Sequence, residues 1–63
     1  MIYVSEVFGI NRRSLRAAFD TFSDACAYVN ALNPICFEVD EDNKNCADAY
    51  MAGGMIYVIE PAN

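Results

Sequence analysis

Apolar and polar residues alternate along much of this chain, and where the period of the alternation changes, the predicted element changes with it. Ile2 to Phe8 is dense in β-branched and aromatic residues, and Gly9, Asn11 and the polar pair Arg12-Arg13 follow with turn chemistry. Leu15, Ala17 and Phe19 then alternate with Ser14, Arg16 and Ala18, which predicts a half-buried second strand over residues 14–19. Asp20-Thr21 offers side-chain oxygens where a helix must satisfy its first N–H groups, and Asp24, three residues after Thr21, favours the helix dipole. Phe22, Ala25, Cys26, Val29 and Leu32 fall on one helical face until Asn33 and Pro34 stop it. A rival pattern starts the helix at Asn11, since Leu15, Phe19, Phe22, Cys26 and Val29 also recur at steps of three and four. The cap at Asp20-Thr21 favours strand followed by helix.

Beyond the helix, Ile35, Phe37 and Val39 alternate with Cys36, Glu38 and Asp40, a third strand with one polar face. Asn45 can cap a short second helix, with Asp48 at its third position and Gly53-Gly54 closing it. Met55 to Glu60 is apolar on both faces, as an interior strand is, and Pro61 ends it. The order is ββαβαβ. It predicts an α+β fold: a small mixed or antiparallel four-stranded sheet with one main helix and one short helix, a single domain over residues 1–63.

That length lies near the lower limit at which one core offsets the entropy of folding. A chain 56% hydrophobic and only 21% charged has the apolar surface to fold. Its apolar runs, such as Met55 to Ile59, fall well short of the ~20 residues of a membrane span. No basic stretch followed by an apolar run opens the chain, so the expected setting is the cytoplasm, without a membrane partner.

The inventory of reactive side chains is thin. There is no histidine, the commonest general base and transition-metal ligand. Cys26, Cys36 and Cys46 form an odd set without a C-x-x-C pair, so they read as reduced, small hydrophobic residues rather than a disulfide framework or zinc site. An EF-hand loop tested from Asp40 matches at Asp42 but fails at Lys44, Asn45 and Met51, where calcium needs an oxygen ligand, a glycine and a bidentate glutamate. Paired carboxylates could do acid–base work only inside a pocket that splits their pKa values. The expectation is therefore a protein that is not an enzyme and holds no cofactor and no metal.

Charge is the strongest remaining signal. The stretch EVDEDNKNCADAY, residues 38–50, holds five of the nine carboxylates. Residues 17–63 carry eight acids and one base, while residues 1–16 carry one acid with Arg12, Arg13 and Arg16. An acidic body with one basic corner steers basic surfaces toward it and repels nucleic-acid backbones. Nucleic acid is a poor ligand for such a chain, and a basic, nucleic-acid-handling protein a fitting partner. With a pI near 4.2 the arginine cluster lacks the broad basic face that phosphate binding uses, and pairing with nearby carboxylates is its simpler role. Phe19, Phe22 and Phe37 read as core, whereas four tyrosines cannot all be inside so small a domain, and exposed tyrosine is enriched at interfaces. The candidate partner-binding residues are Glu38, Asp40, Glu41, Asp42, Asp48, Tyr28 and Tyr50, set against a plain solvated turn and partly buried helix flanks.

The segment FDTFSDACAYVNALN, residues 19–33, followed by a strand and an acidic turn, resembles the layout of short phage-encoded accessory proteins, in which a strand ending in F-x-T/S-F/L precedes a D/E-A-containing helix. The resemblance covers about half the chain and carries over no functional residue. It implies a phage or mobile-element protein that binds a host protein, in the manner of inhibitors of host polymerase, restriction or CRISPR systems. Residues and resemblance together predict an inhibitor that blocks a basic host protein by charge mimicry. The alternatives are a self-assembling structural module, such as a homodimer, and an antitoxin-like partner of a basic toxin.

Overall fold

In the computed structural model, which describes residues 1–10 and 12–62, the chain runs through β1 (Ile2–Phe8), β2 (Arg12–Phe19), α1 (Phe22–Asn30), β3 (Cys36–Val39), β4 (Ala47–Tyr50), a 3₁₀ turn (Ala52–Gly54) and β5 (Ile56–Pro61). Asn11, expected to contribute to the first turn, lies outside the described residues. The strands form one sheet in the order β2-β1-β5-β4-β3, and every neighbouring pair is antiparallel. The fold is α+β. β5, apolar on both faces in sequence, occupies the middle of the sheet, with β1 and β4 on either side.

Two corrections to the expected order follow. The sheet has five strands instead of four, because the segment expected to be a short helix is β4. Ala47 and Ala49 point to the core, at 2% and 0% exposure, and alternate with Asp48 and Tyr50. Asn45 adopts φ 62°, a left-handed conformation that turns the chain into β4 instead of capping a helix. Gly53 and Gly54, at φ 86° and 84°, shape the 3₁₀ turn between β4 and β5. The second correction concerns residues 12–19: Arg12 and Arg13 already belong to β2, so the alternative helix from Asn11 does not form.

The helix begins where its cap predicts. The Asp24 N–H donates to Thr21 Oγ1 at 3.1 Å, and Thr21 has the extended backbone of an N-cap. The helix ends at Asn30, and Asn33 at φ 57° turns the chain toward β3. Ala25 and Val29 are fully buried against Ile2, Val4, Ala47, Ala49 and Ile59, with Phe19, Phe22, Cys26, Phe37 and Tyr57 packed around them. Leu32, expected on the same apolar face, lies beyond the last helical residue and is exposed, as are Ile35 and Val39.

Cross-strand partners share a face, so the register sorts the sheet. Ile2, Val4, Ala17, Phe19, Ala49 and Ile59 face α1, and the residues that alternate with them along each strand face away from it. Within the β1–β2 ladder Val4 pairs with Ala17 but Ser5 pairs with Leu15, leaving Arg16 as the extra residue of a bulge. Uninterrupted alternation would have put Leu15 beside Ala17 and Phe19 in the core. The bulge moves it to the helix-free face, where it is 56% exposed.

Candidate functional site

The acidic segment wraps one corner of the sheet. Val39 pairs with Ala47, which pairs with Ile59, which pairs with Val4, so the β3–β4 connection leaves the sheet beside the start of β1. The β1–β2 connection leaves at the other end, beyond Phe8 and Arg12, and on the opposite edge. The carboxylate-rich turn and the Arg12-Arg13 corner are thus diagonally opposed, which gives the molecule a charge axis across the sheet.

Glu38, Asp40, Glu41, Asp42 and Asp48 line, with Val39, one open depression of ≈ 580 Å³. Glu38 and Asp48 stand directly opposite each other in the β3–β4 ladder, on the helix-free face. Like charges in that position destabilise a ladder. Both ion pairs among the described residues lie elsewhere, Arg13 with Glu60 and Arg16 with Glu6, so none offsets this repulsion. Arginine pairing with carboxylates, expected from sequence, is present at those two places.

Asp40 plays a different part from its neighbours. Its Oδ1 accepts the Asp42 N–H at 2.9 Å and the Asn43 N–H at 3.3 Å, and its Oδ2 accepts the Asn43 side-chain amide at 2.9 Å. This is an Asx turn, in which a side-chain carboxylate replaces a backbone acceptor. The Asn43 amide first, then the Asp42 backbone N–H, hold the Asp40 carboxyl below the ordinary range. Glu41 and Asp42 project from the turn that Asp40 organises, and both are exposed.

The two tyrosines separate. Tyr50 lies on the helix-free face, on the same strand as Asp48 and paired with Cys36 and Ile56, and is 38% exposed. Tyr28 belongs to α1, on the other side of the sheet, with its ring 5.3 Å from that of Phe19 at 49°. The fold therefore brings Glu38, Asp40, Glu41, Asp42 and Asp48 around one depression, sets Tyr50 two residues along β4 from Asp48 on the same face, toward the other end of the strand, and leaves Tyr28 apart from them.

All three cysteines are free thiols. Cys36 is exposed, on the face of β3 that it shares with Glu38. Burial raises the Cys46 thiol pKa, and the carboxylates of Asp40, Glu60 and Asp48 raise it further. Burial alone raises Cys26. A thiol held protonated is a poor nucleophile. Among the described residues no three His, Cys, Asp or Glu side chains converge as a metal site, and no helix is long and apolar enough to cross a membrane.

One polar cluster lies outside the expected set. Glu6, 4% exposed on β1, accepts from Arg16 Nε at 3.0 Å and Nη2 at 2.5 Å through one oxygen, and from the Tyr57 hydroxyl at 3.0 Å through the other. The Arg16 hydrogen bonds dominate in holding the Glu6 carboxyl below its ordinary value. Tyr57 is pushed up, by burial first and by the Glu6 carboxylate next. The bulge aims Arg16 at Glu6. The only trace in sequence is a single acid within an apolar strand, facing a hairpin partner that carries arginine. Compared with protein-family models, with curated proteins and with solved structures, the chain matches none.

Proposed function

We propose that this protein is a small acidic binding module that docks a basic, nucleic-acid-handling protein through the Glu38–Asp48 corner, as a phage or mobile-element inhibitor of a host protein does when it presents charge where a phosphate backbone would lie. The observation that supports this reading is the uncompensated convergence of five carboxylates on one depression, with Glu38 and Asp48 opposed on adjacent strands. A solvated turn needs no such opposition, and stability alone disfavours it. Steering by a field of this sign speeds encounter with basic grooves and excludes nucleic acid from the same surface. Tyr50, on the helix-free face with Glu38 and Asp48, supplies amphipathic area for the contact.

The test is capture from a nuclease-treated bacterial lysate, with wild type compared against a variant carrying Glu38→Gln, Glu41→Gln, Asp42→Asn and Asp48→Asn. The expected result is a basic nucleic-acid-binding protein retained by wild type, lost by the variant, released by rising salt and displaced by duplex DNA. Retention of the same protein by the neutralised variant, or indifference to both salt and DNA, would sink the reading. Asp40 is kept unchanged in the variant so that the turn persists.

A further inference from the structure

β3 ends the sheet: β4 pairs with one of its edges, and among the described residues nothing pairs with the other. The register and one hydrogen bond say which backbone groups that outer edge shows. The Asp40 N–H donates to the Cys46 carbonyl at 2.9 Å, in step with the pairs Glu38–Asp48 and Cys36–Tyr50. Bonded residues recur at every second position of an antiparallel ladder, so Cys36 and Glu38 turn their N–H and C=O toward β4 while Phe37 and Val39 turn theirs outward. Side chains alternate in the same way. Phe37 and Val39 pair with the buried Ala49 and Ala47 and lie on the helix side, whereas Cys36 and Glu38 lie on the helix-free side. α1 packs chiefly against β1, β2 and β5, and Val39 is left 54% exposed.

The acidic depression is lined by Val39 from one face, by Glu38 and Asp48 from the other, and by the turn through Asp40, Glu41 and Asp42, so it lies around the outer edge of β3 where the strand ends. An occupant that meets both sets of side chains must run along that edge. Resting on the acidic-corner reading above, we infer that the basic partner docks by strand addition, laying an extended segment of alternating apolar and lysine or arginine residues along β3.

The residue types follow from the edge. The segment's backbone exchanges hydrogen bonds with Phe37 and Val39, its apolar side chains cover those two residues on the helix side, and its basic side chains stand beside Glu38 on the other. The added cation is what the Glu38–Asp48 opposition lacks, since both ion pairs among the described residues lie elsewhere. β3 is only four residues long, so backbone bonds alone give little affinity and the charges must contribute. A second copy does not fit. Pairing β3 with β3 sets Glu38 and the acidic turns of both copies together, and the arginine-bearing edge strand, β2, has Arg13 and Arg16 committed to Glu60 and Glu6.

The test uses synthetic peptides of one composition, one alternating lysine and valine, the other with its lysines and valines in separate blocks, each titrated into the protein and followed by backbone amide shifts and exchange. The expected result is that the alternating peptide binds about tenfold or more tighter and slows exchange at the Phe37 and Val39 N–H groups. Methylating the backbone nitrogens of its valines, or of its lysines, removes the donors along one edge of the peptide at a time. One of these two versions loses binding and the other keeps it. Val39→Asp separates the apolar row from charge: it adds a carboxylate, which strengthens docking driven by charge alone but weakens strand addition, here by about tenfold. Circular dichroism checks its fold, and the methylated peptides, tested on wild type, do not depend on it. Equal binding of the alternating and block peptides, indifference to both methylated versions, or tighter binding by folded Val39→Asp overturns strand addition and leaves the acidic-corner reading standing. Absence of binding by either peptide also overturns strand addition, while salt-sensitive capture of a basic protein still upholds the corner. Binding of the alternating peptide that survives Glu38→Gln, Glu41→Gln, Asp42→Asn and Asp48→Asn together upholds the edge as a strand acceptor and overturns the charge reading.

Discussion

Glu38 and Asp48 face each other across the β3–β4 ladder with no cation between them. The relationship is a cost the fold carries. Replacing Glu38 with Lys converts a like-charge pair into an ion pair at the same register, and Glu38→Gln removes the repulsion without adding attraction. Glu38→Lys is expected to stabilise the protein by about 0.5–1 kcal/mol, and Glu38→Gln by less, the range measured for cross-strand pairs. Chemical denaturation of the two variants beside wild type reads this directly. If both lower the midpoint, Glu38 makes a favourable contact and the strain assigned to this corner is absent.

How much of this was legible beforehand differs element by element. The helix was, because a capping threonine, an apolar face and Pro34 agree over a dozen residues. β4 was not. Ala47, Asp48, Ala49 and Tyr50 span two periods of alternation, alanine is the best helix former, and asparagine caps helices as readily as it enters left-handed turns. What decides the segment is tertiary: Ala47 and Ala49 are buried in one cluster with Ala25, Val29 and Ile59, where an alternating strand places both of them inward. The bulge at Arg16 has no local mark, so Leu15 reads as core although it faces away from it. The acidic site was legible as composition, but the opposition of Glu38 and Asp48 exists only once β4 is a strand. The Glu6 cluster needed three strands in register to be seen.

Asp40 separates structure from charge within the acidic corner. An asparagine there keeps a side-chain oxygen to accept the Asp42 and Asn43 N–H groups, whereas alanine leaves both without that acceptor. Asp40→Ala is expected to lower the melting temperature, and Asp40→Asn to lower it by less. Amide exchange at Asp42 and Asn43 supplies the local readout. It should quicken in Asp40→Ala and stay slow in Asp40→Asn. Equal quickening in both variants would show that the carboxylate charge, and not the acceptor geometry, holds the turn.

The alanines of β4 belong to the buried core. Ala49 is fully buried opposite Tyr57 and beside Phe37 in the register. Ala49→Leu adds three carbons where packing leaves no space, and overpacking of this kind costs about 1–3 kcal/mol. Ala49→Gly removes the Cβ and weakens the strand, by about 0.5–1 kcal/mol from backbone entropy. Both losses are expected in thermal melts, with the leucine variant the worse. A leucine variant as stable as wild type would mean that the core around Ala49 makes room for three more carbons at no cost.

The cluster of Glu6, Arg16 and Tyr57 makes stability depend on pH with a definite sign. Arg16 and Tyr57 hold the Glu6 carboxyl below its ordinary value of 4.5 in the folded chain. The unfolded chain therefore takes up the proton first as pH falls. The contribution of Glu6 is fully present above about pH 4.5 and is lost progressively as pH drops through that value toward the folded one. Asp40, also depressed in the folded state from an ordinary 3.8, adds a loss of the same sign at lower pH. Melting temperatures measured from pH 7 to pH 3 should hold steady and then decline below about 4.5. Glu6→Gln should melt lower than wild type at pH 7, and its curve should be flatter, so that the two converge in acid. Asp40→Asn should melt slightly below wild type near neutrality, and only the most acidic part of its curve should be flatter. If Glu6→Gln instead tracks wild type in parallel at every pH, the buried carboxylate has the same proton affinity folded and unfolded, and its bonds to Arg16 and Tyr57 contribute nothing that depends on its charge.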